Sequence, residues 1–113
     1  MANQIQLGRT DNGQGSVTPV GTTLSGAPTL TNRVNHCVAA AGVVAVALPQ
    51  NSGSDVVVLN LAATAVALTV FPPTAAGKIN NGSAGAAFSI AQNKSATFYP
   101  HPNGIDYTAV LSA

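Results

Sequence analysis

The sequence predicts an all-β chain: a compact antiparallel β-sandwich or jelly-roll-like barrel over residues 33–113, preceded by an extended N-terminal arm over residues 1–32. Three observations carry this. Roughly seven short apolar runs recur at 8–12-residue spacing, each bounded by turn residues. In Val66-Ala67-Leu68-Thr69-Val70-Phe71 the larger residues Val66, Leu68 and Val70 fall on one face, the period of a strand. The first 32 residues show no helical period, and Pro19, Pro28 and repeated glycines would break any helix there.

Taken in order, the arm is rich in Gly, Thr, Ser, Asn and Gln, with isolated aliphatic residues. Such a segment is either a disordered tail or an arm ordered by docking. The arm is the preferred reading, with Ile5, Leu7 and Val17 as the expected contacts to a neighbouring subunit or a partner. Strand signals begin at Val34-Asn35-His36-Cys37-Val38, followed by small residues at a turn. Val43-Val44-Ala45-Val46-Ala47-Leu48 comes next, then the polar loop Pro49-Gln50-Asn51-Ser52-Gly53-Ser54-Asp55 and the apolar run at 56–61. The run at 66–71 ends at Pro72-Pro73, where two missing N–H groups cannot continue a ladder. Asn81-Gly82 marks a turn because both residues tolerate positive φ. Ala86-Phe88-Ile90 and Ala96-Phe98 resume the alternation, and after the Asn103-Gly104 turn residues 105–111 form the last strand. The alanines alone would also suit helix; the Val, Thr and Pro density decides for strand.

The runs at 43–48 and 56–61 are apolar on both faces. A strand in a two-layer sandwich shows one face to water and alternates. Something therefore covers the outer side of these two: a neighbouring subunit, the arm, or a partner. The expected core or oligomer-seam residues are Val46, Val58, Leu68, Phe71, Phe88, Phe98 and Tyr99. Closed cyclic symmetry repeats one interface, and a trimer is the preferred homo-oligomer.

Composition points the same way. Charged residues make up 6% of the 113-residue chain, against roughly 25% in ordinary soluble domains. Glutamate is absent, and the charged side chains are Arg9, Asp11, Arg33, Asp55, Lys78, Lys94 and Asp106. So few charges oppose association weakly. Four scattered cations do not make a patch that tracks phosphates, so no nucleic acid is expected as a partner. The apolar run at 37–48 is well short of the ~20 residues a spanning helix needs, so no membrane partner is expected either. Met-Ala-Asn-Gln-Ile lacks a basic region leading into an apolar one, which is the start expected of a chain without a secretory signal. A lone Cys37 fits synthesis in a reducing cytosol.

No constellation for chemistry emerges. His36 and Cys37 are adjacent, and on a strand adjacent side chains point to opposite faces, so one metal cannot take both. Asp11, Asp55 and Asp106 are far apart, each in a polar or turn context, and do not read as an acid–base pair. Gly13-Gln14-Gly15 neither follows a strand nor opens a helix, which leaves a phosphate loop without support. The chain is expected to be no enzyme, with no cofactor, no metal and no catalytic residues.

The C-terminal two-thirds resembles a short β-rich module of tailed-bacteriophage virion proteins. The resemblance is carried by Asn32-Arg33-Val34, residues 43–49, Val56-Val57-Val58-Leu59-Asn60 and Leu68-Thr69-Val70-Phe71-Pro72-Pro73. It continues through Lys78-Ile79-Asn80-Asn81-Gly82, residues 88–99 and Tyr107-Thr108-Ala109-Val110-Leu111-Ser112-Ala113. Where the module usually carries an aromatic before its final strand, this chain has Ile105-Asp106-Tyr107; residues 1–32 lie outside the resemblance. It implies a virion structural part made in the host bacterial cytoplasm. The leading expectation is a capsid decoration (cement) protein on the capsid surface, with the major capsid protein as partner. The alternative is a head- or tail-fibre module that recognises host glycan, through exposed residues such as Tyr99, His101, Asn103 and Tyr107. The chain has no long shaft, which favours decoration.

Overall fold

A computed structural model describes residues 13–112. The expected strands are present: β2 (Val34–Cys37), β3 (Ala45–Ala47), β4 (Val56–Asn60), β5 (Leu68–Phe71), β6 (Phe88–Ile90), β7 (Ser95–Pro100) and β8 (Tyr107–Leu111). One more, β1 (Gln14–Val17), precedes them, and a single 3-10 turn spans Leu24–Gly26. The chain is all-β, with a five-stranded sheet ordered β1-β2-β4-β7-β8 and a three-stranded sheet ordered β3-β5-β6.

The sheets are mixed, which corrects the expectation of an antiparallel arrangement. β1–β2, β2–β4 and β3–β5 pair in parallel, whereas β4–β7, β5–β6 and β7–β8 are antiparallel. The reason lies in the connections. From β2 to β5 each strand belongs to the opposite sheet from the one before it. A chain that crosses to the facing sheet and returns lays its next strand beside the earlier pass and in the same direction, because the second strand of the round trip has absorbed the reversal. Beyond β5 the chain turns back within a sheet at β5–β6 and at β7–β8, and it crosses from the small sheet to the large one between β6 and β7. β7 lies three passes after β4, an odd number of reversals, so all three of these pairings are antiparallel.

The inner faces meet in one core. Leu30, Val46, Leu48, Val58, Leu68, Val70, Ile90, Phe98 and Tyr107 are all buried in it. Phe88 of the small sheet meets Phe98 of the large one edge to face, ring centroids 5.6 Å apart at 86°, a favoured quadrupole geometry. Two buried asparagines hold main-chain groups that the strands leave over. Asn60 donates to the Val66 and Ile90 carbonyls, both at 2.9 Å, and accepts from the Ala62 amide at 3.1 Å. Asn35 donates to the Asn32 and Val57 carbonyls at 2.8 and 3.2 Å.

Residues 13–32, assigned to the arm from sequence, lie on this chain's own sheets. β1 extends the large sheet, and Pro19 and Leu30 are buried. Residues 20–30 seal the edge of β3: the Val20 amide donates to the Ala45 carbonyl, the Leu30 amide to that of Ala47, and the Ala47 amide to that of Pro28. The edge of the apolar run at 43–48 is thus closed by residues of the same chain, and Ala45 and Ala47 on its outer side are buried.

Candidate interaction face

The second run, 56–61, has no such cover among the described residues. Its side chains alternate: Val56, Val58 and Asn60 are buried, while Val57 and Leu59 are half-buried and Leu61 is exposed. The register shows what shares their face. Gln14, Val34, Val57, Thr97 and Val110 form one row across the five strands. Ser16, His36, Leu59 and Ser95 form the next, and Tyr99 opposite Thr108 lies on the same side. Val38 and Leu61 continue this face just past β2 and β4, where the Leu61 amide donates to the Cys37 carbonyl.

Four large apolar side chains stand out to solvent there: Val110 at 56% exposure, Val38 at 53%, Tyr99 at 48% and Leu61 at 44%. The rest of the face is Thr, Ser, Gln, His36 and half-buried valine or leucine. No Asp, Glu, Lys or Arg occupies any of its strand positions. An uncharged face with apolar anchors is suited to being covered by protein, since burial removes apolar area from water and strands no charge.

The residues expected to act in the core or at a seam separate accordingly. Val46, Val58, Leu68 and Phe98 are fully buried. Phe88 is half-buried against them, and Phe71 is half-buried on the outward side of the small sheet, level with Ala47 of β3. Tyr99 is no core residue; it belongs to the open face. Val17 packs on the core of its own chain. Ile5 and Leu7 lie outside the described residues.

Of the residues named for glycan recognition, Tyr99 and Asn103 are exposed and Tyr107 is not. Tyr107 is 1% exposed, and its hydroxyl donates to the Pro49 carbonyl; burial pushes its phenol pKa up, a rise that Ser52 opposes. The Asn103 Oδ1 is spent on the Ile105 and Asp106 amides. His101 bonds the Thr108 hydroxyl at 2.7 Å. The Asn103 side chain and then the Lys78 amide hold the Asp106 carboxyl below its ordinary pKa, which makes it a structural acceptor.

Other candidates for chemistry are equally dispersed. His36 faces outward and meets the Gln14 side chain at 3.1 Å, while Cys37 points into the core, its thiol pushed up to about 12 by burial. Among the described residues no group of three or more His, Cys, Asp or Glu could hold a metal ion, and no helix is long and apolar enough to cross a membrane. A cleft of about 440 Å³ opens between residues 29–33 and 49–56. Its guanidinium is already engaged: Arg33 Nε and Nη2 reach Asp55 Oδ1 and Oδ2 at 3.2 and 3.1 Å.

Sequence reasoning missed the buried Asn35 and Asn60 and the strand β1. An asparagine inside the apolar run Val58-Leu59-Asn60-Leu61 was the available signal, since a polar residue there needs main-chain partners. No protein family, curated protein or solved structure matches this chain.

Proposed function

We propose that this chain is a non-catalytic structural protein that works by covering and being covered, a part of an assembled particle. More specifically, we read it as a bacteriophage capsid decoration (cement) protein, located on the virion surface, that self-associates and binds the major capsid protein of the assembled head. The observation that carries this is the uncharged outer face of the five-stranded sheet, with Val38, Leu61, Tyr99 and Val110 exposed on it. The resemblance of residues 33–113 to phage virion modules supplies the kind of particle. On this reading the two sheets are the halves of a jelly-roll-like sandwich, and residues 1–12 with Ile5 and Leu7 are the arm that reaches a neighbour.

The mechanism is mass action. A subunit that binds the mature shell and not its dissociated parts stabilises the shell by an amount that grows with the logarithm of its free concentration above Kd. The test is co-sedimentation with mature heads stripped of the protein, beside immature shells. Saturable binding to mature heads, with increased resistance of those heads to heat or chelator, is the expected outcome. Attachment to tails or host cells without head binding would reject the decoration reading and favour the fibre one.

A further inference from the structure

We infer that the open edge of β1 is a pairing site for a second copy of this chain, joined antiparallel across a two-fold axis. This goes beyond the capsid reading and does not depend on it. The Val34 amide donates to the Gly13 carbonyl at 3.1 Å. In a parallel ladder alternate residues face the same neighbour, so Gly13, Gly15 and Val17 are turned to β2. The main-chain groups of Gln14 and Ser16 then point away from the sheet, and no described residue bonds them.

The other edges are closed or shorter. Residues 20–30 seal β3. On β8, the Tyr107 amide donates to the Lys78 carbonyl, the Asn80 amide to that of Tyr107, and the Ala109 amide to the Asn80 side chain. The Thr69 amide donates to the Val44 carbonyl, so Thr69 faces β3 and its partner Ser89 alone turns outward on the three-residue β6. Proteins guard exposed edges with charge, proline or a covering segment; residues 13–17 contain no charge and no proline, and no segment among the described residues covers them.

A ring of three needs two different edges that complement each other, whereas a two-fold pair needs one edge that complements itself. β1 meets the second condition. With Gly15 on the axis, Gln14 exchanges main-chain bonds with the partner's Ser16, and Ser16 with the partner's Gln14. The place of a Cβ at Gly15 is filled by this chain's own Asn32 side chain, and no like charges are brought together in the strand. The pairing runs two large sheets into one, with both uncharged faces on the same side.

The test is the native mass of the full chain by sedimentation equilibrium, for wild type, Ser16→Pro and Ser16→Lys. Proline at 16 removes an outward N–H and leaves the bonds to β2, which come from its neighbours. Lysine keeps the backbone and places like charges at the joint. Wild type is expected at twice the 11.2 kDa chain mass and the variants at the chain mass. In wild type alone the Gln14 and Ser16 amides should be slow to exchange. If Ser16→Pro does not fold, Ser16→Lys decides. A monomeric wild type, a trimer, or a dimer that survives Ser16→Lys would each overturn the inference.

Discussion

Residues 14–71 and residues 88–111 build the same two sheets by opposite routes. In the first region the chain crosses between sheets from pass to pass, and its strands stack in parallel. In the second, β6 turns back on β5, β7 on β4 and β8 on β7, all antiparallel. The first region is therefore held by contacts between successive passes, the second by strand reversal and by the Phe88–Phe98 contact. Short apolar runs bounded by turn residues define strands in both regions. From β2 onward, direction follows the number of passes between paired strands: strands two passes apart run parallel, and strands one or three passes apart run antiparallel.

The contrast can be broken most forcefully inside the second region, where its two sheets meet. Phe98→Ala empties a fully buried site at the inter-sheet contact, and should cost about 3–5 kcal/mol. Urea unfolding is the measurement, and a loss below a third of that would show that the sheets do not depend on this contact. Asn60→Ala is next. Asn60 sits at the end of β4 and ties it to Val66, in the connection to β5, and to Ile90 of β6. Its removal leaves buried groups unpaired and should cost about 2–4 kcal/mol. Native-state amide exchange should speed up most at Ala62, whose donor bond is lost.

Tyr107→Phe tests a thinner tie, between β8 and the loop after β3. Loss of the bond to the Pro49 carbonyl should cost about 1–2 kcal/mol, the range for a buried acceptor left without its donor. Arg33→Ala, which breaks the part-exposed pair with Asp55, should cost under about 1 kcal/mol and less at high salt. Cys37 gives the smallest effect at neutral pH. Its folded pKa is raised above the unfolded value of 9.0 to about 12. Burial of the neutral thiol is thus fully favourable below pH 9, and stability falls as pH rises from there toward 12. Thiol labelling at neutral pH should wait for unfolding, and prompt labelling of the native protein would show that the site opens locally.

How much of this was legible follows from what each signal reports. Leu68 and Phe98 announced strands through a period of two, and Val46 and Val58 through short runs dense in β-branched residues; both are local properties of the chain. Gly15 and Ser16 announced nothing, since a strand without large side chains is recognised only by the partner it bonds. Tyr99 and Tyr107 look alike in sequence. They lie on opposite sides of the sheet, one in solvent and one against Pro49, as the register of β7 and β8 dictates. For the interaction face, the apolar residues of 56–61 were visible, but not that Val38, Tyr99 and Val110 would join them.

The sequence by itself determined the strand class, the strand positions and the scarcity of charge, because these depend on residue types and their immediate neighbours. Only the tertiary structure decided parallel against antiparallel pairing, the folding of residues 13–32 onto their own chain, and which apolar face stays open. Those outcomes depend on which sheet each connection reaches, and that is set by packing between residues far apart in the chain.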